Sequence, residues 1–255
     1  MSRDHAAEVV LFDLDDTLMA HRQAVAAGIR LHMHERAYEG DFDAAQLLWH
    51  ELEERHYHAY LAGDLTFEGQ RRARARDFAL AHGETLDEPG AGAWFDRYFE
   101  RYREGWRLHD DALPALDALE ASLPGVRLGI ITNGEPDFQR AKLERLGIVD
   151  RFEHVIASGA LGVTKPDRRI FDVALERFSA DGPVSRAAYI GDRLHTDALG
   201  AASAGLAGVW VDRHGTTLDD GEADAVRAAG VIVIPSLAEL AGRLVERWSA
   251  KANES

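Results

Sequence analysis

Three carboxylates stand close together directly after a short apolar run near the start of the chain. In VVLFDLDDTL, residues 9–18, four apolar residues are followed by Asp13, Asp15 and Asp16. Along an extended chain residues i and i+2 point the same way, so Asp13 and Asp15 can face one site while Leu14 turns toward the core. Clustered carboxylates repel one another, and keeping them ionised in a partly buried place is costly. A hard dication with oxygen ligands would supply the missing positive charge.

Polar residues also follow apolar runs further along the chain, at Thr132, Lys165 and Asp192. In open parallel sheets, ligands bind beyond the carboxyl ends of the strands. We therefore expect these side chains to converge with Asp13 at one edge of a sheet. Mg²⁺ usually takes one or two carboxylates together with water and substrate phosphate. The sequence predicts a Mg²⁺ site with Asp13, Asp15 and Asp192 as candidate ligands.

The remaining polar groups near this edge favour phosphoryl chemistry. Thr132 and Asn133 offer a hydroxyl, an amide and turn N–H groups that can bond phosphate oxygens. Lys165, beside Pro166, can neutralise both a phosphoryl group and an aspartate. Positioning and charge neutralisation dominate the catalysis of phosphoryl transfer, and this set of side chains fits that reaction.

Short apolar runs alternate with helical segments over most of the chain. The runs that resemble buried strands are residues 9–12, 126–132, 154–158, 187–192, 207–212 and 230–234. Segments with helical spacing lie at residues 135–147, 167–178, 195–205 and 236–248. Strands that are apolar on both faces and alternate with helices indicate a parallel sheet covered on both sides. The sequence predicts an α/β, doubly wound, Rossmann-like parallel sheet core.

A long helical stretch separates the first strand from the rest of the sheet. Four segments without a strand signal lie at residues 21–40, 42–63, 66–83 and 93–106. Glycines and a DEPGAG segment punctuate them. We expect residues 1–19 and 108–255 to form the α/β core and residues 20–107 to form an inserted α-helical cap.

The composition limits the partners and the chemistry. Lys and Arg number 29 and Asp and Glu number 44, giving a formal net charge of −15 over 255 residues. That balance argues against nucleic acid or an anionic membrane as the main partner. The absence of cysteine excludes disulfides and thiolate chemistry. No signal peptide or long apolar span is visible, so we expect a cytoplasmic protein. The sequence leaves monomer and homodimer open.

The motifs together resemble the haloacid dehalogenase (HAD) superfamily of aspartate-nucleophile hydrolases, in the branch with a helical cap after the first strand. The matching pieces are DLDDT (13–17), ITNG (131–134), TKPDRRIF (164–171) and GDRLHTD (191–197), in the family order. They extend across almost the entire chain. One position departs from the family pattern: Ala160 stands where relatives often carry an acidic residue, which leaves the orientation of Lys165 open.

The resemblance implies a Mg²⁺-dependent phosphomonoester hydrolase acting on a small phosphorylated metabolite such as a nucleotide or sugar phosphate. Asp13 would attack phosphorus and form an aspartyl-phosphate. Asp15 would serve as general acid and base, and would reach Mg²⁺ through its backbone carbonyl. The remaining roles fall to Thr132, Asn133 and Lys165, which would bind phosphate, to Asp192, which would bind Mg²⁺, and to Asp197, which would support the site.

Four residues keep a structural interpretation beside the functional one. Asn133 suits a turn as well as it suits phosphate. Asp197 suits the first turn of a helix, opposite the helix dipole. We expect Asp16 to point away from the side that Asp13 presents, and Thr17 to hydrogen-bond the local loop backbone.

Asp15 discriminates among activities within the superfamily. A carboxylic acid at this position is valuable when the leaving group is an alkoxide and unnecessary when it is a halide, so a phosphatase is favoured over a dehalogenase. One alternative is a phosphosugar mutase, in which Asp15 would shuttle a proton between sugar oxygens. Another is a signalling receiver domain with a phosphorylated aspartate, against which the helical insertion and Asp15 both count.

Overall fold

The chain forms two compact units, which a computed structural model describes over residues 6–252. The core unit contains the described residues up to Ala20 and those from Leu108 onward, and the insert unit is His21–Arg107. Residues 1–5 and 253–255 of the predicted core range lie outside the described residues. That the ranges 1–19 with 108–255, and 20–107, form separate domains stays a prediction. Within the described part, no helix is long and apolar enough to cross a bilayer.

Six parallel strands form one sheet in the core unit. They are β1 (Ala7–Phe12), β2 (Arg127–Thr132), β3 (His154–Ala157), β4 (Val184–Gly191), β5 (Ala207–Val211) and β6 (Ile232–Ile234). Their spatial order is β3-β2-β1-β4-β5-β6, and all neighbouring strands run parallel. The sheet is built outward from β1 in one direction and from β4 in the other, so the topological switch point lies between these two strands. The predicted doubly wound α/β fold is confirmed.

Helices account for most of the remaining chain. The insert unit contains α1 (His21–Glu35), α2 (Phe42–Leu61), α3 (Phe67–Ala81) and α4 (Glu88–Glu104). The core unit contains α5 (Ala112–Ser122), α6 (Pro136–Arg145), α7 (Ser158–Leu161), α8 (Arg168–Asp181), α9 (Gly200–Ser203), α10 (Asp220–Ala229) and α11 (Leu240–Ala252). The helical segments predicted for the insert unit match α1 to α4 apart from a few terminal residues.

The helix predictions for the core unit were incomplete. The sequence prediction missed α5, α7 and α10. Helix α10 is short, and its apolar residues, such as Val226, are only partly buried. A capping box begins α10, because Asp219 and Glu222 each bond the other's backbone N–H. The helix predicted over residues 195–205 is a π-helical turn, Leu194–Leu199, followed by α9.

The sheet is buried on both faces, which explains why its strands are apolar without alternation. Val9 to Phe12 of β1 are completely inaccessible. On one face Leu11, Ile131 and Phe171 belong to a single apolar cluster that also includes Phe178 of α8. A Cβ atom at Gly129 of β2 would lie 2.8 Å from atoms of Leu11 and Phe178, so the bare glycine lets α8 pack closely against the sheet.

The insert unit has its own aromatic core. The ring of Trp49 is fully buried, and its centroid lies between 4.5 and 5.4 Å from those of Phe78, Trp94 and Tyr98. Helices α2, α3 and α4 each begin after a capping side chain, supplied by Asp41, Thr66 and Asp87, that accepts a backbone N–H bond. Local capping and aromatic burial therefore define this unit together.

Charged groups join α2 to α3 inside the insert unit. Arg74 donates to Glu53 at 2.5 Å, and its guanidinium lies 4.9 Å from the ring of Trp49. Burial alone would raise the pKa of Glu53, but Arg74 and His21 outweigh burial and hold that pKa well below its ordinary value. His21 in turn contacts the hydroxyl of Tyr102 at 2.9 Å, so α1 and α4 join the same network.

His32 of α1 is a buried titratable group in the aromatic core. Its ring lies edge-to-face with Trp94, with centroids 4.2 Å apart. Among the described residues neither ring nitrogen has a hydrogen-bond partner. Burial, reinforced by Arg36, lowers the pKa of His32 from 6.5 to about 4. The folded protein therefore holds this imidazole neutral, and protonation favours the unfolded chain.

Replacing His32 with phenylalanine should make the free energy of unfolding less sensitive to acid. Because the folded pKa lies below the unfolded value, the wild type has this stabilisation above about pH 6.5 and loses roughly 3 kcal/mol of it as the pH falls to 4. Urea unfolding of both proteins between pH 7 and pH 4 measures the difference. Stability curves of equal slope would contradict the assignment.

Candidate active site

The predicted site residues meet at the carboxyl edge of the sheet, on both sides of the switch point. Asp13 directly follows β1, and its backbone N–H donates to the carbonyl of Ile190 in β4 at 2.8 Å. Asp192 follows β4, and Thr132 is the last residue of β2. Extension of the β1–β4 ladder by one bond therefore fixes the backbone of Asp13 beside the strand that leads to Asp192.

Lys165 is buried at the centre of the site and uses all three of its ammonium hydrogens. Its Nζ donates to Asp13 Oδ1 at 2.6 Å, to the hydroxyl of Tyr189 at 2.7 Å and to Asp197 Oδ1 at 2.8 Å. Burial alone would lower the pKa of Lys165, but Asp13 and Asp197 outweigh burial and raise it. The lysine is therefore a permanent cation beside Asp13.

The backbone at Lys165 is held by Asn133. The Oδ1 atom of Asn133 accepts the N–H of Lys165 at 2.8 Å, and its Nδ2 donates to the carbonyl of Lys165 at 3.2 Å. Position 160 carries Ala and no acidic side chain, but other residues orient Lys165. Asn133 holds its backbone, and Asp197 and Tyr189 hold its ammonium. That Asn133 also contacts phosphate stays a prediction.

Asp197 is part of the buried charge cluster. It is almost completely buried, and its Oδ2 accepts the backbone N–H of Arg193 at 3.0 Å while Oδ1 accepts from Lys165. A Cβ atom at Gly191 would lie 2.4 Å from the Asp197 side chain, so the glycine that ends β4 makes room for this carboxylate. Asp197 does lie in the first turn of the helix Leu194–Leu199, as the structural interpretation expected, but it is buried there against Lys165.

The cluster carries more negative than positive charge. Burial raises the pKa of Asp13 to about 7 even though Lys165 opposes the shift, and Asp197 adds repulsion. Burial together with Asp13 and Asp197 raises the pKa of Asp192 to about 8. One ammonium therefore does not balance three clustered carboxylates.

This deficit of positive charge suits a divalent cation. Asp13, Asp192 and Asp197 each offer a carboxylate oxygen, and the three oxygens lie within 4.8 Å of one another. All three are hard oxygen donors, which Mg²⁺ prefers. Both oxygens of Asp197 already accept hydrogen bonds, one from Lys165 and one from Arg193. The residues therefore fit best a cation held by Asp13 and Asp192.

The carboxylate of Asp15 belongs to a different arrangement. Both of its oxygens accept from Nζ of Lys142 at 2.7 Å, and Oδ2 also accepts from Nε2 of Gln139 at 3.3 Å. Nε2 of Gln139 also donates to Oγ1 of Thr132 at 2.9 Å. If Asp15 contributes to a metal site with Asp13, the contribution has to come from its backbone and not from its carboxylate.

Gln139, Lys142 and Tyr189 were not anticipated from the sequence. Gln139 and Lys142 lie three residues apart on α6, so one helix face carries both. That spacing is the only sequence signal that could have linked them, and it is common on ordinary helices. Tyr189 lies inside β4, where an aromatic residue is typical of a strand.

The first motif also contains Asp16 and Thr17, which differ in backbone conformation and in the direction of the side chain. Asp16 has a φ angle of 61°, a left-handed conformation that Asp and Asn tolerate better than most residues. Thr17 is buried with its hydroxyl 3.5 Å from Asp13 Oδ2, so its side chain faces the carboxylate and not the local backbone as expected. The carbonyl of Thr17 accepts from Arg213 at 3.0 Å, which secures the loop.

A second group of potential metal ligands lies at the opposite edge of the sheet. Glu153, His154 and Asp181 bring one donor atom each within 4.8 Å of the others. Arg127 already donates to Glu153 at 2.8 Å and lies 3.7 Å from Asp181. The guanidinium supplies the positive charge there, which makes this group a surface ion-pair network.

Comparison with known proteins assigns the family. The model of haloacid dehalogenase-like hydrolases matches residues 7–205, and the chain belongs to this family. The family resemblance noted in the sequence is therefore confirmed.

Individual relatives and structures agree with this assignment. The chain is 33% identical to the glyceraldehyde 3-phosphate phosphatase of Pyrococcus abyssi over 80% of both chains. It is 38% identical to the phosphoserine phosphatase of Thermus thermophilus over 59% of this chain and 58% of that protein, so this match spans little more than half of the relative. The HAD hydrolase YfnB of Bacillus subtilis has the same fold, with a TM-score of 0.75, 22% identity and coverage of 94% and 99%. Solved haloacid dehalogenases share the fold as well.

Replacing Lys165 with methionine should strongly destabilise the core unit. Removal of the ammonium leaves the carboxylates of Asp13 and Asp197 buried without a cation, which costs about 3–5 kcal/mol in comparable buried pairs. Urea unfolding of the variant measures the loss.

The matched control is the double variant Lys165→Met with Asp197→Asn. It removes one of the two buried negative charges, so it should lose less stability than Lys165→Met alone. Equal losses in the single and double variants would show that repulsion between these carboxylates is not the cause.

Proposed function

We propose that the protein is a Mg²⁺-dependent phosphomonoesterase that uses Asp13 as its nucleophile. The observation that carries the proposal is the pairing of two carboxylates with different surroundings at the switch point. Asp13 is buried against the permanent cation of Lys165, whereas Asp15, two residues later, is half-buried and held by Lys142 and Gln139. This difference supports a role for Asp13 as nucleophile and for Asp15 as general acid and base.

In the first half of the reaction, a carboxylate oxygen of Asp13 attacks phosphorus. A bond forms between that oxygen and phosphorus, and the bond between phosphorus and the ester oxygen breaks. The departing oxygen takes a proton from the carboxyl group of Asp15. The hydroxyl of Thr132 would bind one phosphoryl oxygen. Lys165 would bind another with the hydrogen that it donates to Asp13 at rest, because Asp13 loses its negative charge as it bonds phosphorus.

In the second half, water hydrolyses the aspartyl-phosphate. A water molecule gives a proton to the carboxylate of Asp15, and its oxygen attacks phosphorus. The bond between phosphorus and Asp13 breaks, which releases inorganic phosphate and restores both carboxyl groups to their starting protonation states. Covalent catalysis of this kind divides one difficult displacement into two easier ones.

The acidic cluster would hold the metal ion. Asp13 and Asp192 would bind Mg²⁺ with their carboxylates, and Asp15 would add its backbone carbonyl. Bound Mg²⁺ would neutralise charge on the phosphoryl group and on the two carboxylates. Asp197 would keep Lys165 in place, and Asn133 would hold the backbone of Lys165 while its amide is also available to phosphate.

The names of two relatives support the proposed substrate class. Two relatives are named for phosphatases of phosphoserine and of glyceraldehyde 3-phosphate. A small phosphorylated metabolite of this kind is the proposed substrate, and the insert unit would act as the cap that selects its leaving group. Phosphate release from nucleoside monophosphates, sugar phosphates and an aryl phosphate, measured with Mg²⁺ and with EDTA, tests the proposal, and we expect release from at least one of them with Mg²⁺ only.

Two other activities would give different results in the same assay. A phosphosugar mutase would yield an isomerised phosphosugar without free phosphate. A receiver domain would keep a long-lived phosphate on Asp13 after exposure to acetyl phosphate. The carboxylate of Asp15 favours hydrolysis over a stable phospho-aspartate, because a proton acceptor beside the phosphoryl group promotes attack by water.

Replacing Asp13 with asparagine should abolish phosphate release while the protein remains folded. The amide has nearly the same shape but is not a nucleophile toward phosphorus, and we expect a loss of at least about 10³-fold in kcat. Asp16→Asn is the matched control, since asparagine tolerates the left-handed backbone at that position and should retain most of the activity. Activity in Asp13→Asn would remove Asp13 as nucleophile.

Replacing Asp192 with asparagine should weaken Mg²⁺ binding. We expect the Mg²⁺ concentration for half-maximal activity to rise by at least about tenfold, because one of two carboxylate ligands is lost. Thermal unfolding measured across a Mg²⁺ titration gives a second readout that does not depend on turnover. Asp172→Asn, a carboxylate on the surface of α8, is the control and should behave as wild type. An unchanged Mg²⁺ dependence in Asp192→Asn would exclude Asp192 as a ligand.

A further inference from the structure

Lys142 is a buried lysine whose ammonium contacts the carboxylate of Asp15. It is 1% exposed, lies on α6, and contacts both oxygens of Asp15 at 2.7 Å. Its Nζ also lies 4.6 Å from the centroid of the Phe138 ring. Burying an ammonium is costly, and this ion pair with hydrogen bonds to both oxygens offsets that cost.

The symmetrical contact restricts how the Asp15 carboxylate can turn. The Lys142 ammonium lies at the same distance from both oxygens of Asp15. Rotation of the carboxylate would therefore lengthen one of these two hydrogen bonds. Gln139 adds a third contact at Oδ2, from the same helix. A carboxylate without such partners would sample several rotamers at its 27% exposed position.

Gln139 joins Asp15 to the predicted phosphate-binding residue Thr132. The two hydrogens of its Nε2 go to Asp15 Oδ2 and to Thr132 Oγ1. Because Oγ1 of Thr132 accepts this bond, its own hydrogen is left to donate elsewhere. A phosphoryl oxygen is the acceptor expected there under the proposed function.

The loop before α6 is shaped around Gln139. Gly134 has a φ angle of 157°, and a Cβ atom at that position would lie 2.8 Å from Nε2 of Gln139. The backbone N–H of Gly134 donates to Oγ of Ser158 at 2.9 Å, which anchors the loop to α7. The space for the Gln139 amide is therefore part of the local backbone structure.

We propose that Lys142 and Gln139 are positioning residues that hold the Asp15 carboxylate for proton transfer to and from the substrate. The proposal rests on the proposed function and adds α6 to the catalytic apparatus. Neither residue touches the reacting atoms; each acts through Asp15, and Gln139 also acts through Thr132. Their contribution should consequently depend on how much protonation the leaving group needs.

The test compares phosphate esters whose leaving groups differ in basicity. In Lys142→Met, kcat/KM for an alkyl phosphate should fall by about 10- to 100-fold more than kcat/KM for 4-nitrophenyl phosphate, since 4-nitrophenolate leaves without a proton. Asp15 still has to accept a proton from water in the second step. The same variant should therefore show a burst of 4-nitrophenol followed by slow turnover, because aspartyl-phosphate accumulates.

Two further variants keep the test decisive. Arg140→Met, an exposed residue on the same helix, is the matched control and should leave both substrates unaffected. Gln139→Leu tests the same idea without removing a charge, and should show a smaller loss with the same dependence on leaving group. If Lys142→Met does not fold, as judged by circular dichroism, the leaving-group dependence of Gln139→Leu decides the question.

The outcomes separate the inference from the function on which it rests. Equal losses for both esters, or no loss, in variants of an active wild type would overturn the positioning role and leave the phosphatase intact. A wild type that releases no phosphate from any ester with Mg²⁺ would overturn the proposed function, and the inference with it.

Discussion

The structure of the site depends on one buried ammonium group. Lys165 binds Asp13, Asp197 and Tyr189 at 2.6 to 2.8 Å, and these three partners come from the ends of β1 and β4 and from the turn after β4. Its own backbone is bonded to Asn133, which follows β2. A single charge thus links three strand ends, and the hydroxyl of Tyr189 extends the link to the carbonyl of Ile131. Without that ammonium, the carboxylates of Asp13 and Asp197 would repel each other with no cation between them.

The sheet topology explains why these partners are available. Because the sheet is built outward from β1 and β4, the loops after these adjacent strands lead to opposite sides and leave a crevice between them. Asp13 and Asp192 are the first residues after the two strands that flank this crevice. The glycine at position 191 and the bond from Asp13 to Ile190 then bring the carboxylates close enough to repel.

Sequence reasoning located the residues at and after strand ends, and the family resemblance added Asp197, which lies in the helical turn Leu194–Leu199. It missed Gln139 and Lys142 in α6 and Tyr189 in β4. Asp13, Thr132 and Asp192 were predictable because the end of an apolar run fixes where a parallel strand delivers its next side chain. Lys142 was not, because its position on α6 has no distinguishing pattern and its partner, Asp15, lies 127 residues earlier in the chain. Burial of Lys142 depends on how α6 packs over the loop after β1, a tertiary relation that spacing along one chain does not encode. Helix α10 is a different case, because its capping box is a local signal in the sequence that the prediction overlooked.

The negative charges of Asp13 and Asp15 are compensated in different ways, and the roles proposed for the two residues rest on that difference. Asp15 has its own ammonium, Lys142, within 2.7 Å of both oxygens. Asp13 shares Lys165 with Asp197, and Asp192 adds a further negative charge, so the group on this side lacks positive charge. A dication is attracted to Asp13 and Asp192, whose negative charge is not fully balanced, and gains little beside Asp15, whose charge Lys142 already balances. Under the proposed function the metal therefore lies beside Asp13 and Asp192, and the carboxylate of Asp15, which does not bind it, exchanges protons with the substrate.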